Sequence, residues 1–382
     1  MKVLHVVRQY LPSVGGMEEV VRNLAHHQVH DSNYAPRIVT LNRVFRESAH
    51  RLSPTELIDG VSVRRLGFAG SERYPLCPQV LRELHSADLI HVHGIDFFFD
   101  YLALTHFLHR KPMLASTHGG FFHSNFAPRL KQIYFKGITR LSALAYQRVV
   151  CTSQSDGRVF SRVVAPKTIC VIENGVDVEK FHDSSSKALL PRMLYFGRWS
   201  VNKGILETLD VLAALRSQFP EVPWHLTIAG REYDLNAMRL RTQARLRGVD
   251  NALTIVTNPS NQTLRSHMAE CSYFICQSHH EGFGIAPIEA MSAGLLPLLS
   301  DIPPFRKLVE TSQSGLVLTS TSATFQAQQI YQFHQRNAIQ FSTNTADKKN
   351  PRASACKASG VYAWAGVAQL YTQQYNQILG TS

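Results

Sequence analysis

Short apolar runs that end in a polar or glycine residue recur along the chain in two series, separated by segments of helical period. This alternation limits the possible folds more than any other feature of the sequence. In the first series Lys2–Val7, Arg37–Leu41, Val61–Arg65, Asp88–His93, Met113–Thr117 and Val149–Thr152 read as strands, with a helix at about Glu18–His27. The second series opens near residue 191 with Met193–Phe196 and runs through Leu226–Ala229, Leu253–Val256, Tyr273–Gln277 and Leu295–Leu299. Strands alternating with crossover helices build parallel sheets, and ligands of such sheets collect beyond the carboxyl ends of the strands. The expected fold class is therefore α/β, with two Rossmann-like doubly wound domains. The polar segment IENGVDVEKFHDSSSK puts a hinge near Asn174–Ser186. The domains are then 1–180 and 181–361, with a helix at 362–382 that crosses back to the first. A chain of 382 residues, 44% of them hydrophobic, can fill two such cores. From Gln335 to Gly360 the sequence turns polar and reads as a loosely packed surface stretch. Helical spacing returns at Tyr362–Leu379, with Val367, Leu370, Tyr371, Tyr375 and Ile378 on one stripe.

The net charge of +12 favours an anionic partner, whether nucleic acid, lipid headgroups or a phosphorylated substrate. No zinc-finger spacing or aromatic-interleaved basic sheet motif supports nucleic acid. The six cysteines form no C-x-x-C pair and read as reduced, apolar packing groups, which implies a cytoplasmic compartment. No signal peptide is apparent, and the best candidate for a membrane span, IDFFFDYLALTHFLH, contains Asp96 and Asp100. Membrane contact is therefore expected to be peripheral, on the inner face of the cytoplasmic membrane. The segment Phe126–Arg148 carries Arg129, Lys131, Lys136, Arg140 and Arg148 without an acid, and Ile133, Tyr134, Ile138, Leu141 and Leu144 recur at helical spacing. Such a helix either lies on anionic lipid or turns its apolar face to the core.

The strongest chemical signal is HHEGFGIAPIEAMSAG. Gly282 and Gly284 permit a sharp turn, a helix is expected from about Ile285, and its free N–H groups suit a diphosphate. Glu281 precedes that helix and can reach a sugar ring. Glu289 lies on an early turn and can accept from a ribose diol. In LYFGRWSVNKG, Arg198 and Lys203 follow a strand and can neutralise a leaving diphosphate. In LPSVGGMEEVV, Gly15 and Gly16 permit close backbone approach to a phosphate or sugar, but this is no G-x-G-x-x-G fingerprint, which weakens an oxidoreductase reading. His118 ends a strand in STHGGFF and can donate to a sugar hydroxyl or a developing charge. His91 and His93 share one face of a strand, and His91 reads as structural.

Taken in order, the glycine loop, HVHG, STHGG, ENGVD, FGRWSVNKG and Glu281…Glu289 resemble glycosyltransferase family 4 along almost the whole chain. The resemblance implies the GT-B fold, two such domains facing across a cleft, and a retaining hexosyltransferase. It implies that Gly15 and Gly16 pack against the donor, that His118 lies near the transferred sugar, and that Arg198 and Lys203 hold the diphosphate. It also implies that Glu281 meets the sugar and Glu289 the ribose. Phe283, Gly284 and Ile285 present backbone amides, and Thr257–Ser260 borders the base. Within the family the chain is most similar to the branch that moves α-1,3-mannose from GDP-mannose onto a polyprenyl-diphosphate-linked disaccharide in exopolysaccharide assembly of the xanthan gum type. No cofactor and no metal are expected, since no Asp-x-Asp motif is placed to hold a cation. A different donor or lipid-linked acceptor, and a GT-B-like nucleotide-sugar epimerase, remain open alternatives.

Overall fold

The computed structural model describes residues 1–13, 15–45, 51–72, 74–118, 133–342 and 350–380. The chain divides into two compact units, Met1–Gly175 with Trp364–Ser382, and Val176–Ala363.

The first unit is built on an eight-stranded sheet. Its order is Ile169–Val171, Arg148–Cys151, Met113–Ser116, Leu89–His93, Val3–Val7, Arg37–Leu41, Val61–Leu66 and Thr55–Ile58. All neighbours are parallel except the last pair. Central strands such as Val3–Val7 and Leu89–His93 are buried along their whole length, as expected of a parallel sheet covered on both faces. The helix Gly16–Val29 carries Glu18 and Glu19 in its first turn, matching its dipole. It buries Val20, Val21, Leu24, Ala25 and Gln28. The C-terminal helix Trp364–Leu379 packs on it through Trp364, Val367, Tyr371 and Tyr375, whereas Leu370 is exposed rather than part of the buried stripe.

The second unit holds a six-stranded parallel sheet. Its order is Leu253–Thr257, His225–Glu232, Arg192–Trp199, Tyr273–Cys276, Leu296–Ser300 and Leu316–Leu318. The polar stretch read as loosely packed is largely helical instead: Ala323–Ser342 and Pro351–Ser359, with 343–349 outside the described residues. Asn350 caps the second of these helices and Pro351 opens it. Arg352 is buried, pairs with Asp183, and donates from Nε to Ser185 Oγ at 3.0 Å. Composition concealed this helix because its polar residues are satisfied by tertiary partners. It packs against Ile285–Ala293 and so supports the site described below.

The segment Phe126–Arg148 is described from residue 133, and Arg129 and Lys131 lie outside the described residues. Helical turns cover Phe135–Thr139 and Arg140–Ala143, and Arg148 opens a strand instead of extending the helix. Phe135 and Ala143 point into the core, while Ile133, Ile138, Leu141 and Leu144 are exposed. Among the described residues, no helix is long and apolar enough to cross a membrane.

Candidate active site

In the second unit the chemistry gathers where the strand order reverses. Arg192–Trp199 lies between His225–Glu232 and Tyr273–Cys276, a topological switch point of the kind that binds ligands in doubly wound sheets. The loop leaving Arg192–Trp199 is anchored by Asp234, whose Oδ2 accepts from Ser200 Oγ at 2.9 Å and from the Val201 amide at 3.2 Å. Lys203 follows, and Gly204 then turns into the helix Ile205–Gln218 with φ +62°. A Cβ at Gly204 would collide with the carbonyl of Gln277 at the end of the neighbouring strand. Only glycine lets the two strand ends approach this closely.

That approach brings Lys203 Nζ to 2.5 Å from Glu281 Oε1, which also accepts from Ser278 Oγ at 2.7 Å. The two loops are stitched further by Asn202 Nδ2 donating to the His280 carbonyl at 2.9 Å and the His279 amide donating to the Asn202 carbonyl at 2.8 Å. Beyond Glu281, Gly284 adopts φ +94°, and an added Cβ there would stand 2.9 Å from the Phe305 ring. The helix Ile285–Ala293 starts at this point with no side-chain cap, so its first amides are available to an anion. Phe283 rests on the Tyr362 ring. Four residues into the helix, Glu289 Oε1 accepts from Lys180 Nζ at 3.1 Å. Arg198 is exposed, with its guanidinium 4.5 Å from the Tyr233 ring centroid. The Asn258 amide, beside the segment expected to border the base, donates to the Gly230 carbonyl at 2.8 Å.

The structure thus brings Lys203, Glu281 and the Ile285 helix start onto adjoining loops. It pairs Lys203 and Glu281 with each other, and Glu289 with Lys180. Such pairing stores a cation and an acceptor side by side without leaving either charge uncompensated.

The first unit presents a different chemistry. Gly15 precedes the helix Gly16–Val29, and the Glu18 carboxylate folds over it, held by Ser13 Oγ at 3.1 Å. Gly16 faces open space. His118 follows Met113–Ser116 with φ +52°, a left-handed conformation uncommon for a residue with a Cβ. Its Nε2 lies 3.0 Å from His93 Nδ1, His93 Nε2 lies 3.0 Å from His5 Nδ1, and His5 Nε2 lies 2.8 Å from Gln28 Oε1. His91 bonds the Tyr375 hydroxyl and Ser116 Oγ, each at 2.8 Å. Burial lowers His118 and His5 to about 4 and pushes His91 and His93 well below 6.5, so all four imidazoles are neutral at neutral pH.

Sequence reasoning missed Lys180, Gly204, Asp234, His5 and Gln28. Lys180 and Asp234 act through tertiary contacts that no local spacing marks. Gln28 did carry a signal, since it falls on the apolar face of its helix at the position where another hydrophobic residue is due.

Residues 14–180 match the family described as Glycosyltransferase Family 4, and residues 177–348 match Glycosyl transferases group 1. A GDP-mannose:cellobiosyl-diphosphopolyprenol alpha-mannosyltransferase of Xanthomonas campestris is 49% identical over 381 residues, covering 100% of this chain and 98% of that one. An enzyme of the same name from Komagataeibacter xylinus is 41% identical over 100% of this chain and 94% of that one. Among solved structures, Anabaena Alr3699/HepE in complex with UDP aligns with a TM-score of 0.72 at 19% identity, over 99% of this chain and 100% of that one. A glycosyltransferase from Rickettsia africae aligns at 0.71 with 16% identity, over 100% and 99%. These likenesses identify the GT-B fold of two Rossmann-like domains. Both family matches and the end-to-end identity give one conclusion: the chain belongs to glycosyltransferase family 4, in the same lineage as these Xanthomonas and Komagataeibacter enzymes.

Proposed function

We propose that the chain transfers mannose from GDP-mannose, with retention, to cellobiosyl-diphosphopolyprenol. The observation that carries this reading is the 41–49% identity over the whole chain to enzymes of that name. The switch-point cluster supplies a mechanism for it. Negative charge grows on GDP as the glycosidic bond breaks. The uncapped amides at Ile285 are fixed before the donor arrives, so they stabilise that charge without reorganising, and Lys203 waits on the adjoining loop in its pair with Glu281. The entering diphosphate takes over Lys203, which frees Glu281 to accept from hydroxyls of the transferred sugar. Glu289 meets the ribose diol, with Lys180 holding its carboxylate in position. Arg198 swings from Tyr233 to the phosphates. On this reading the acceptor attacks from the face the diphosphate leaves, and a phosphate oxygen takes the acceptor proton. The test offers radiolabelled GDP-mannose, GDP-fucose, UDP-glucose and UDP-glucuronate with lipid-linked cellobiose, followed by linkage analysis. An α-mannosylated trisaccharide made only from GDP-mannose is expected. A new nucleotide sugar formed without acceptor would instead identify an epimerase.

The reading extends to an anionic membrane surface, where such an acceptor resides. Leu104, Phe107 and Leu108 are exposed on one pair of helices, and Ile133, Ile138, Leu141 and Leu144 on the next. The two are joined by Ser142 Oγ donating to Asp100 Oδ1 at 2.7 Å and by the Tyr134–Asp100 hydrogen bond. Lys136 and Arg140 stand exposed among these apolar side chains. Apolar insertion with flanking cations suits anionic lipid. Leu141→Ser with Leu144→Ser, and separately Lys136→Glu with Arg140→Glu, are expected to release the protein from phosphatidylglycerol vesicles, the charge variant more strongly at low salt. Unchanged sedimentation of both variants would contradict this surface.

A further inference from the structure

The sequence presents His118 as a donor, but the hydrogen bonds behind it argue the reverse. We infer that Gln28, acting through His5 and His93, is a positioning residue that fixes the tautomer of His118 and leaves its Nδ1 a hydrogen-bond acceptor. Gln28 Oε1 can only accept, so the His5 Nε2 it faces at 2.8 Å carries the proton. A neutral imidazole has one N–H, so His5 Nδ1 is a lone pair and must accept from His93 Nε2 at 3.0 Å. His93 Nδ1 is then a lone pair in turn and accepts from His118 Nε2, again at 3.0 Å. The proton order is thereby imposed along the chain, and His118 Nδ1 is left bare.

One observation supports this direction over its mirror image, in which the Gln28 amide is flipped. His118 Nδ1 is buried and has no hydrogen-bond partner among the described residues. A buried N–H without an acceptor is costlier and rarer than an unfilled lone pair, and the flipped order would create one. With Oε1 turned to His5, the other end of the same amide, its N–H donor, is the one that meets the Tyr375 hydroxyl. Tyr375 then donates to His91 Nδ1, and His91 Nε2 donates to Ser116 Oγ. One carboxamide on the buried face of the first helix therefore directs both branches of the network, and the C-terminal helix contributes Tyr375 to it. His5, His91 and His93 offer ring nitrogens within 4.8 Å of one another, a spacing a metal could use. Every one of their ring nitrogens already has a hydrogen-bond partner.

The consequence for function rests on the reading that His118 meets the transferred sugar. A carbohydrate hydroxyl must then approach Nδ1 as the donor. A phosphate oxygen, which has no proton to give, is refused.

The test is long-range proton–nitrogen NMR of the ligand-free full chain with 15N-labelled histidine, which needs no turnover and stands apart from the identity of the substrate. His5, His93 and His118 are each expected as the Nε2–H tautomer. Gln28→Leu is expected to scramble that order and to lower kcat by roughly 10-fold with little change in the donor KM. Gln28→Glu, which restores an acceptor for His5, is expected to restore the His118 Nε2–H signal and most of kcat. Tyr375→Phe is expected to leave the His118 tautomer as it is. Nδ1–H on His118 in the wild type would overturn the inference. So would an unchanged tautomer in a folded Gln28→Leu chain, or stoichiometric zinc uptake that shifts all three buried histidines. If Gln28→Leu does not fold, the wild type and Gln28→Glu spectra still decide the matter.

Discussion

The strand ends of the two units address charge in opposite ways. In the second unit charges are kept and paired: Lys203 with Glu281, Lys180 with Glu289, and Arg198 against an aromatic ring. In the first unit the corresponding positions hold neutral imidazoles in a relay that ends on a carboxamide. A site that must bind a diphosphate needs cations it can redirect. A surface that meets uncharged hydroxyls gains more from fixed lone pairs and protons. The contrast implies that the second unit responds mainly to charge removal, whereas the first responds mainly to pH.

The largest effect should come from breaking the charged pair. Lys203→Ala is expected to lower kcat/KM by about 100- to 1,000-fold, and Glu281→Ala by about 2–3 kcal/mol or more, in steady-state assays. Because the two share one contact, the double variant should fall short of the sum. Near-normal turnover of either single variant would remove the assignment.

Next is the pH response of the first unit. His5 is fully buried and lowered from 6.5 to about 4, mainly by desolvation. As pH falls, the unfolded chain takes up its proton first. Stability is therefore complete above pH 6.5, declines between 6.5 and 4, and levels off once the folded histidine protonates. The loss is about 3 kcal/mol for His5 alone. Hydrogen exchange followed by region should record it in the strands Val3–Val7 and Leu89–His93. Equal loss of protection in the second unit would erase the distinction between the units.

A smaller effect is expected from Gly204→Ala, which combines a left-handed backbone with a collision against the Gln277 carbonyl. It should destabilise the second unit by about 2 kcal/mol and weaken nucleotide binding by moving the Lys203 loop away from the Ile285 helix start. A thermal melt and nucleotide titration unchanged from wild type would show that the loops do not need this approach.

Much of the fold was legible because parallel strands buried on both faces leave a continuous apolar run with a polar terminus. Val3–Val7, Leu89–His93 and Tyr273–Cys276 all do so. The short edge strands Thr55–Ile58 and Leu316–Leu318 escaped because each is only partly buried and too short to establish a period. The helix Pro351–Ser359 escaped because Arg352 is satisfied by Asp183 and Ser185, which lie far away in sequence. At the site, the glycine turn at Gly284 and the helix after it followed from local chemistry. The partner of each charge did not. That Glu281 faces Lys203, and that Lys180 reaches Glu289, depends on strand neighbours separated by a whole crossover. The apolar stripe Ile133–Leu144 was legible as a stripe, but its direction toward solvent was not.

The central claim is that Lys203 and the Ile285 helix start bind the phosphate that leaves. It is tested most directly by calorimetric titration of GDP and GMP into wild type and Lys203→Ala. Wild type is expected to prefer GDP by about 10- to 100-fold, with most of that preference lost in the variant. A variant that binds GDP over GMP as strongly as wild type would contradict the account.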